Sequence, residues 1–337
     1  VSLRTKPRAA VVHARAAGRR VAALARTELD VRASRRERAD VAVFHDVAPP
    51  PSGGGNQFLL GLARELERQG LDVEWNRISG ATPACLFNSF NFDLHRLRRF
   101  RRPDVRLVHR VDGPIGVYRG HDDGTDARIA RMNAELADAT VLQSSYSHER
   151  HLELGIELRE PVVIPNAPDP ALFHPPSARE PLEERPLRVV MTSWSDNPRK
   201  GADVLDLLDR ELDPRRFALT FVGRTGVTPV RARILGPLPS DALADLLRGQ
   251  DAYVAASLDD PCSNALLEAL ACGLPAAYRR SGGHPELVGE AGVGFEDAAG
   301  AVDALEQVAA ELPALRAAIR VPSLVEVAER YRAVLGC

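Results

Sequence analysis

From residue 39 onward, short apolar runs alternate with segments whose apolar positions recur every three to four residues. The first run, Ala39-Asp40-Val41-Ala42-Val43-Phe44, is short, nearly continuous and ends at His45 and Asp46, as a strand buried on both faces does. Over Gln57–Gln69, Phe58, Leu59, Leu62, Ala63 and Leu66 fall on one helical face, with Gly70 as the stop. Further runs at 84–87, 105–108, 139–142 and 162–164 are separated by helical patterns at 93–101, 125–138 and 145–154. The Pro-rich, charged stretch Pro175–Pro186 breaks the alternation. It then resumes with apolar runs at 187–192, 217–222, 252–256 and 276–278 and helical patterns near 202–210, 240–248, 263–272 and 284–290.

Regular alternation of this kind predicts parallel sheets covered by helices on both faces. The fold class is therefore α/β, with two facing Rossmann-like, doubly wound domains and a central cleft where the carboxyl ends of their strands meet. The expected boundaries are a basic extension over 1–38, a first domain over 39–174, a linker over 175–186 and a second domain over 187–322. A final helix over 323–337 is placed to cross back to the first domain. A length of 337 residues suits two domains, each with its own core.

Composition narrows the class. With 45% hydrophobic and 27% charged residues the chain is that of an ordinary globular protein, and no apolar run approaches the ~18 residues of a membrane span. The start of the chain lacks the apolar core of a secretory signal, so a cytoplasmic location is expected. Cys85, Cys262, Cys272 and Cys337 form no C-x-x-C pair, which argues for reduced thiols and against zinc. Residues 1–38 hold eleven Lys and Arg against three acids, so this head carries +8 and the remainder −10 (−2 minus 8). Its Arg residues alternate with Ala, Val and Leu, a pattern that fits a peripheral helix on an anionic membrane as well as a solvated extension. The head has no aromatic residue, which counts against nucleic-acid binding.

The most informative stretch is Asp251–Pro275. A strand is expected to end near Ser257, Ser263 to cap a helix, and Gly273 with Pro275 to close it. The free N–H groups at that helix start suit a diphosphate. Glu268 lies five residues past the cap, roughly 7.5 Å along the axis. Asp260 sits in the preceding loop, so the two carboxylates could meet different parts of one extended ligand.

Asp260 and Glu268, followed by Ala271-Cys272-Gly273-Leu274-Pro275 and Gly282-Gly283-x-x-Glu286, resemble glycosyltransferase family 4, a family of GT-B fold. Its members carry two Glu residues at this spacing, then A-x-G-x-P and a Gly-Gly loop; here the first acid is Asp260. The resemblance implies that Glu268 bonds the nucleotide ribose while Asp260 and the N–H groups near Ser263 and Asn264 hold the donor sugar and phosphates. Lys200-Gly201 is similar to the family's Lys-Gly, whose Lys grips the diphosphate with help from an Arg six residues before. That position is Trp194, and Arg199 is the candidate to compensate. Phe221-Val222-Gly223 and Leu235-Gly236-Pro237-Leu238 resemble loops that flank the base, making Gly223 and Leu238 donor-site candidates. Ile164-Pro165-Asn166 with Asp169 and Phe173 resembles the family's interdomain hinge, with Ala167 in place of a Gly.

On the first domain, Gly53-Gly54-Gly55-Asn56 fits a loop where backbone approaches a ligand closely, and its lack of G-x-G-x-x-G argues against a nicotinamide cofactor. In the family this chain resembles, a His in this region contacts sugar and acceptor, so the resemblance makes His109 and Asp112, at the end of a buried strand, the first-domain candidates. The acidic run His121–Asp126 reads as a helix-capping loop rather than a metal site.

These readings together imply a retaining glycosyltransferase that moves a sugar from a nucleoside-diphosphate sugar to a saccharide, lipid-linked or small-molecule hydroxyl. No metal or other cofactor is expected, because Lys200, Arg199 and the Ser263 helix start would take the leaving group's charge. Two alternatives stay open from sequence. One is a nucleotide-sugar epimerase or phosphorylase on the same fold. The other is a non-catalytic nucleotide-sugar-binding or scaffold subunit, motivated by Trp194 and Asp260.

Overall fold

The computed structural model describes residues 26–31, 33–34, 37–48, 54–182 and 185–337; most of the basic head and Gly53 lie outside them. The first half builds β1 (Val41–Phe44), α1 (Gly54–Arg68), β2 (Val73–Trp75), β3 (Ala84–Asn88), α2 (Leu94–Phe100) and β4 (Arg106–Arg110). It continues through α3 (Ile115–Arg119), α4 (Thr125–Leu136), β5 (Ala139–Leu142), α5 (Ser145–Glu153) and β6 (Pro161–Val163). The second half builds β7 (Leu187–Ser193), a single 3₁₀ turn over Pro198–Lys200, α6 (Ala202–Glu211), β8 (Phe217–Gly223), β9 (Arg233–Leu235) and α7 (Ser240–Arg248). It ends with β10 (Ala252–Ala255), α8 (Asn264–Ala271), β11 (Ala276–Arg279), α9 (His284–Val288), β12 (Gly292–Phe295), α10 (Gly300–Ala310), α11 (Leu312–Ala317) and α12 (Leu324–Leu335).

Both six-stranded sheets are parallel throughout, with orders β2-β1-β3-β4-β5-β6 and β12-β11-β10-β7-β8-β9. The second order is the doubly wound arrangement of dinucleotide-binding folds, and its strand order reverses between β7 and β10. Ligands of open α/β sheets bind beyond the carboxyl ends at such a reversal, which here puts the loops after Ser193 and Ala255 together. Each sheet is sandwiched by apolar clusters on its two faces. The three-residue strands β2 and β9 and the glycine-containing β12 escape the hydrophobic pattern, because edge strands bury too little to need it. Helix α1 starts at Gly54, four residues before its first periodic apolar position, Phe58, so Gly54 and Gly55 form its first turn.

The chain ends back on the first sheet. Ser323 caps α12, and Leu324, Val327, Ala328, Tyr331 and Leu335 pack with Phe58, Leu59, Leu62 and Leu66 of α1. The ring centroids of Tyr331 and Phe58 are 6.0 Å apart. The stretch before β7 packs on the second domain instead. There Arg179 donates to the carbonyls of Gln250, Cys272 and Gly273, and Arg185 forks onto Asp251.

Because Tyr331 is fully buried, Tyr331→Ala should destabilise the protein by ~3–5 kcal/mol through lost burial and the cavity left behind. Thermal unfolding followed by circular dichroism would detect this; an unchanged melting temperature would show that α12 does not hold the first domain together.

Candidate functional site

A cavity of 490 Å³ opens between the two sheets at the carboxyl ends of their strands. Three elements of the second domain form one wall. After β7, Asn197 caps the 3₁₀ turn by accepting from the Arg199 N–H at 3.0 Å, and the turn delivers Lys200 into the cavity. After β10, Asp260 meets it, with Lys200 Nζ 2.9 Å from Asp260 Oδ2. Asp260 also accepts from the Cys262 N–H at 3.3 Å, and its carbonyl accepts from the Gly283 N–H at 2.9 Å, so the Gly282-Gly283 loop braces the acid. Burial would raise the Asp260 carboxyl; Lys200 and His284 outweigh that and hold it below the usual carboxylate range. Burial likewise opposes charge on Lys200, and Asp260 with the ring of Tyr118, 4.4 Å away, more than offsets it and raises the ammonium's pKa.

The third element is α8. Ser263 Oγ accepts from the Leu266 N–H at 3.4 Å, and the first residues of the helix, Asn264 and Ala265, line the cavity. One turn on, Glu268 reaches the same space, and burial without a charged partner pushes its carboxyl up to about 8. Gly223, Pro237, Leu238 and Leu243 complete this wall.

The first domain contributes Gly54, Gly55, Arg110, Asp112, Tyr118 and Asn166. Helix α1 therefore points its N-terminus into the cleft opposite that of α8, and the two positive helix ends converge. Arg110 donates to Asp112 at 3.1 Å and to Asn166 at 3.0 Å, and Asn166 donates to Asn264 at 3.0 Å, so one hydrogen-bonded chain crosses between the domains.

Two of the residues singled out by sequence lie elsewhere. His109 is fully buried away from the cavity, stacked on Phe87 at 4.4 Å, with Ser89 Oγ 3.1 Å from Nε2 and Asn133 Nδ2 3.2 Å from Nδ1. Burial lowers its pKa to about 3, so the ring is neutral and structural rather than a sugar contact. Side chains alternate along a strand, and it is the next residue, Arg110, that faces the cleft. Arg199 does not assist Lys200 either. Adjacent residues of a 3₁₀ turn project about 120° apart, and Arg199 pairs with Asp259 and donates to the Tyr118 carbonyl at 3.2 Å.

Arg199 belongs instead to an interdomain contact that the sequence did not announce. Tyr146 donates its hydroxyl to Asp259 at 2.7 Å, and Glu286 accepts from the N–H groups of Ser145 and Tyr146 at 3.0 Å each, capping α5 from the other domain. The acidic run 121–126 serves as caps: Asp122 and Asp123 accept from the Gly124 and Thr125 N–H groups, and Asp126 from those of Ile115 and Gly116. Among the described residues no group of three or more His, Cys, Asp or Glu could hold a metal, and no helix is long and apolar enough to cross a membrane.

Two doubly wound domains with a shared strand-end cleft define the GT-B class of glycosyltransferase folds. Residues 193–311, most of the second domain, match the model of the Glycosyl transferases group 1 family. Among curated proteins, the chain resembles a phosphatidylinositol N-acetylglucosaminyltransferase component from Arabidopsis thaliana (25% identity over 169 residues) and its namesake from Homo sapiens (28% over 176). These matches take in 46% and 47% of this chain and 37% and 36% of those proteins, so the chain matches little more than a third of their length. Sucrose-phosphate synthase from Thermosynechococcus elongatus superposes with a TM-score of 0.65 at 17% identity, over 88% of this chain and 95% of that one. Anabaena Alr3699/HepE, solved with UDP and glucose, gives 0.65 at 16% identity over 89% and 100%.

The carboxyl of Glu268 binds its proton up to about pH 8 in the folded chain, against an ordinary value of 4.5. Between those values the native state holds the extra proton, so this residue makes stability fall as pH rises, with the full penalty present above pH 8. Glu268→Gln removes the penalty. Its melting temperature should exceed the parent's by ~3 °C or more at pH 8.5 and converge with it near pH 5, measured by scanning fluorimetry across pH. A constant difference at every pH would show that Glu268 carries no such shift.

Proposed function

We propose that this chain is a retaining glycosyltransferase that takes a sugar from a nucleoside-diphosphate donor and gives it to an acceptor hydroxyl. The observation that carries the reading is the convergence, in one cleft, of the Lys200–Asp260 pair, the Ser263-capped start of α8 and Glu268. The difficulty of such a reaction is charge, because the anomeric carbon becomes oxocarbenium-like as the diphosphate leaves with its electrons. Lys200 and the two helix starts are aimed where that negative charge grows. Asp260 orients Lys200 and faces the donor sugar, while Glu268, ionised on binding, accepts from the ribose hydroxyls.

In this mechanism the bond from the anomeric carbon to the diphosphate oxygen breaks, and the acceptor oxygen bonds the same face of that carbon. The acceptor's proton passes to the departing diphosphate. Asp112, half-exposed and steadied by Arg110, faces the acceptor side. UDP is the first nucleotide to try, since HepE was solved with UDP-glucose. The proposal assigns charge stabilisation to groups of the protein rather than to a metal, so it includes turnover that persists in EDTA.

Calorimetric titration with UDP, GDP and ADP, and donor turnover with each corresponding sugar nucleotide, test the reading. Lys200→Ala should lower kcat by ~10²–10³. Glu268→Gln should weaken nucleotide binding by roughly tenfold, and wild-type affinity should climb with pH toward a plateau above 8, because binding favours the ionised carboxylate. Nucleotide affinity that ignores both substitutions would remove the cleft as the donor site.

A further inference from the structure

The charges in the cleft do not suit the ligand proposed for it. Among the described residues its wall carries two cations, Arg110 and Lys200, against three carboxyl groups, Asp112, Asp260 and Glu268. Both cations are already engaged, Arg110 by Asp112 and Lys200 by Asp260, and Arg199 is held outside by Asp259. Even with Glu268 protonated, the wall is close to neutral. The helix ends add only about half a positive charge each. A nucleoside diphosphate brings two or more negative charges and needs a cation that no carboxylate already holds.

One guanidinium at the rim meets that need. Arg224 follows Gly223 at the end of β8, and its N–H is fixed to the Ser193 carbonyl at 2.9 Å, beside Trp194 at the end of β7. Its side chain makes no hydrogen bond or ion pair within the described residues and instead lies over the Trp194 ring, 5.2 Å from the centroid. Trp194 lines the cleft and is 43% exposed, so its indole is no part of either core. Arg224 lines a small side recess that shares Ser193, Ser195 and Lys200 with the main cavity, so its side chain stands at the same rim as Lys200. A stacked guanidinium keeps its N–H edge free for bidentate bonding to phosphate oxygens.

We propose that Arg224, braced on Trp194, is the second cation of the donor diphosphate site, supplied by β8 and standing next to Lys200. The inference rests on the nucleotide-sugar reading above and assigns the charge that reading lacks. The indole does two things here. It limits the rotamers of Arg224, and it covers one face of the guanidinium while leaving the N–H edge open to a ligand.

The test compares a nucleoside diphosphate with its own nucleoside, which differ only in the charged group. UDP, GDP and ADP, each beside the parent nucleoside, are titrated by calorimetry into wild type, Arg224→Met, Arg224→Lys and Trp194→Ala. Arg224→Met should lose roughly tenfold or more in affinity for the diphosphate and nothing for the nucleoside, and Arg224→Lys should recover part of it. Trp194→Ala should show a smaller loss of the same kind. A general structural disturbance would weaken both ligands alike and would count against the proposal.

The chain has two tryptophans, Trp75 in β2 and Trp194, so intrinsic fluorescence gives an independent readout. Adding the diphosphate should change the wild-type emission and leave Trp194→Phe unchanged. An Arg224→Met protein that keeps full diphosphate affinity while Lys200→Met loses it would overturn the role of Arg224 and leave the donor site standing. A wild-type protein that binds none of the three diphosphates would overturn the donor reading, and this inference with it.

Discussion

Every contact across the cleft depends on how closely the two domains can approach, and glycine sets that distance at two places. A Cβ on Gly54 would stand 2.6 Å from the Asn264 side chain, and one on Gly113 would stand 2.9 Å from that of Pro261. Both lie below any distance real side chains keep, so a larger residue at either site wedges the domains apart. The first turns of α1 and α8 would then no longer share one space, and their N–H groups could not reach one ligand. The hydrogen bond from Asn166 to Asn264 fixes the lateral register at the same seam.

A seam this tight also governs the charges. Burying an isolated ion is expensive, and buried charges persist when paired. Arg110 is paired with Asp112 and Asn166, and Lys200 with Asp260 and the Tyr118 ring. Arg110 takes its partners from its own domain, whereas Lys200 of the second domain sits over Tyr118 of the first, so the charge on the second domain's wall is set partly by the opposite side. Glu268 has no such partner, and its raised pKa is the direct result.

Much of this was legible in the chain. The strands other than the edge strands β2, β9 and β12, and the Ser263 cap, follow from apolar runs and local spacing, as does the spaced pair Asp260 and Glu268, while Lys200 was marked by the family resemblance alone. The errors have a common origin. His109 and Arg110 are neighbours in a strand buried on both faces, so no alternation of polarity says which one faces the cleft; the packing of α1 and α4 on opposite faces decides it. Lys200 and Arg199 differ by one step of a 3₁₀ turn that only Asn197 and the following Gly201 determine. Glu286 and Asp259 lie more than a hundred residues from Tyr146 and meet it only once both domains exist, which no local pattern can encode.

Those last three residues also tie closure to chemistry. Asp259 adopts a left-handed backbone (φ 53°), a conformation that Asp tolerates better than most residues, and its N–H is held by Ser281 Oγ at 2.9 Å. This turn sends its carboxylate outward to Tyr146 of the first domain, while the next residue turns inward to Lys200. The interdomain groups are partly exposed, so each contact is worth only about 1 kcal/mol or less and is screened by salt. Yet Asp259 and Asp260 share a peptide bond, so separating the domains pulls on the loop that orients Lys200. A cleft built this way links the position of its cation to the contact between the domains, which is the coupling the proposed transfer needs to protect a reactive donor from water.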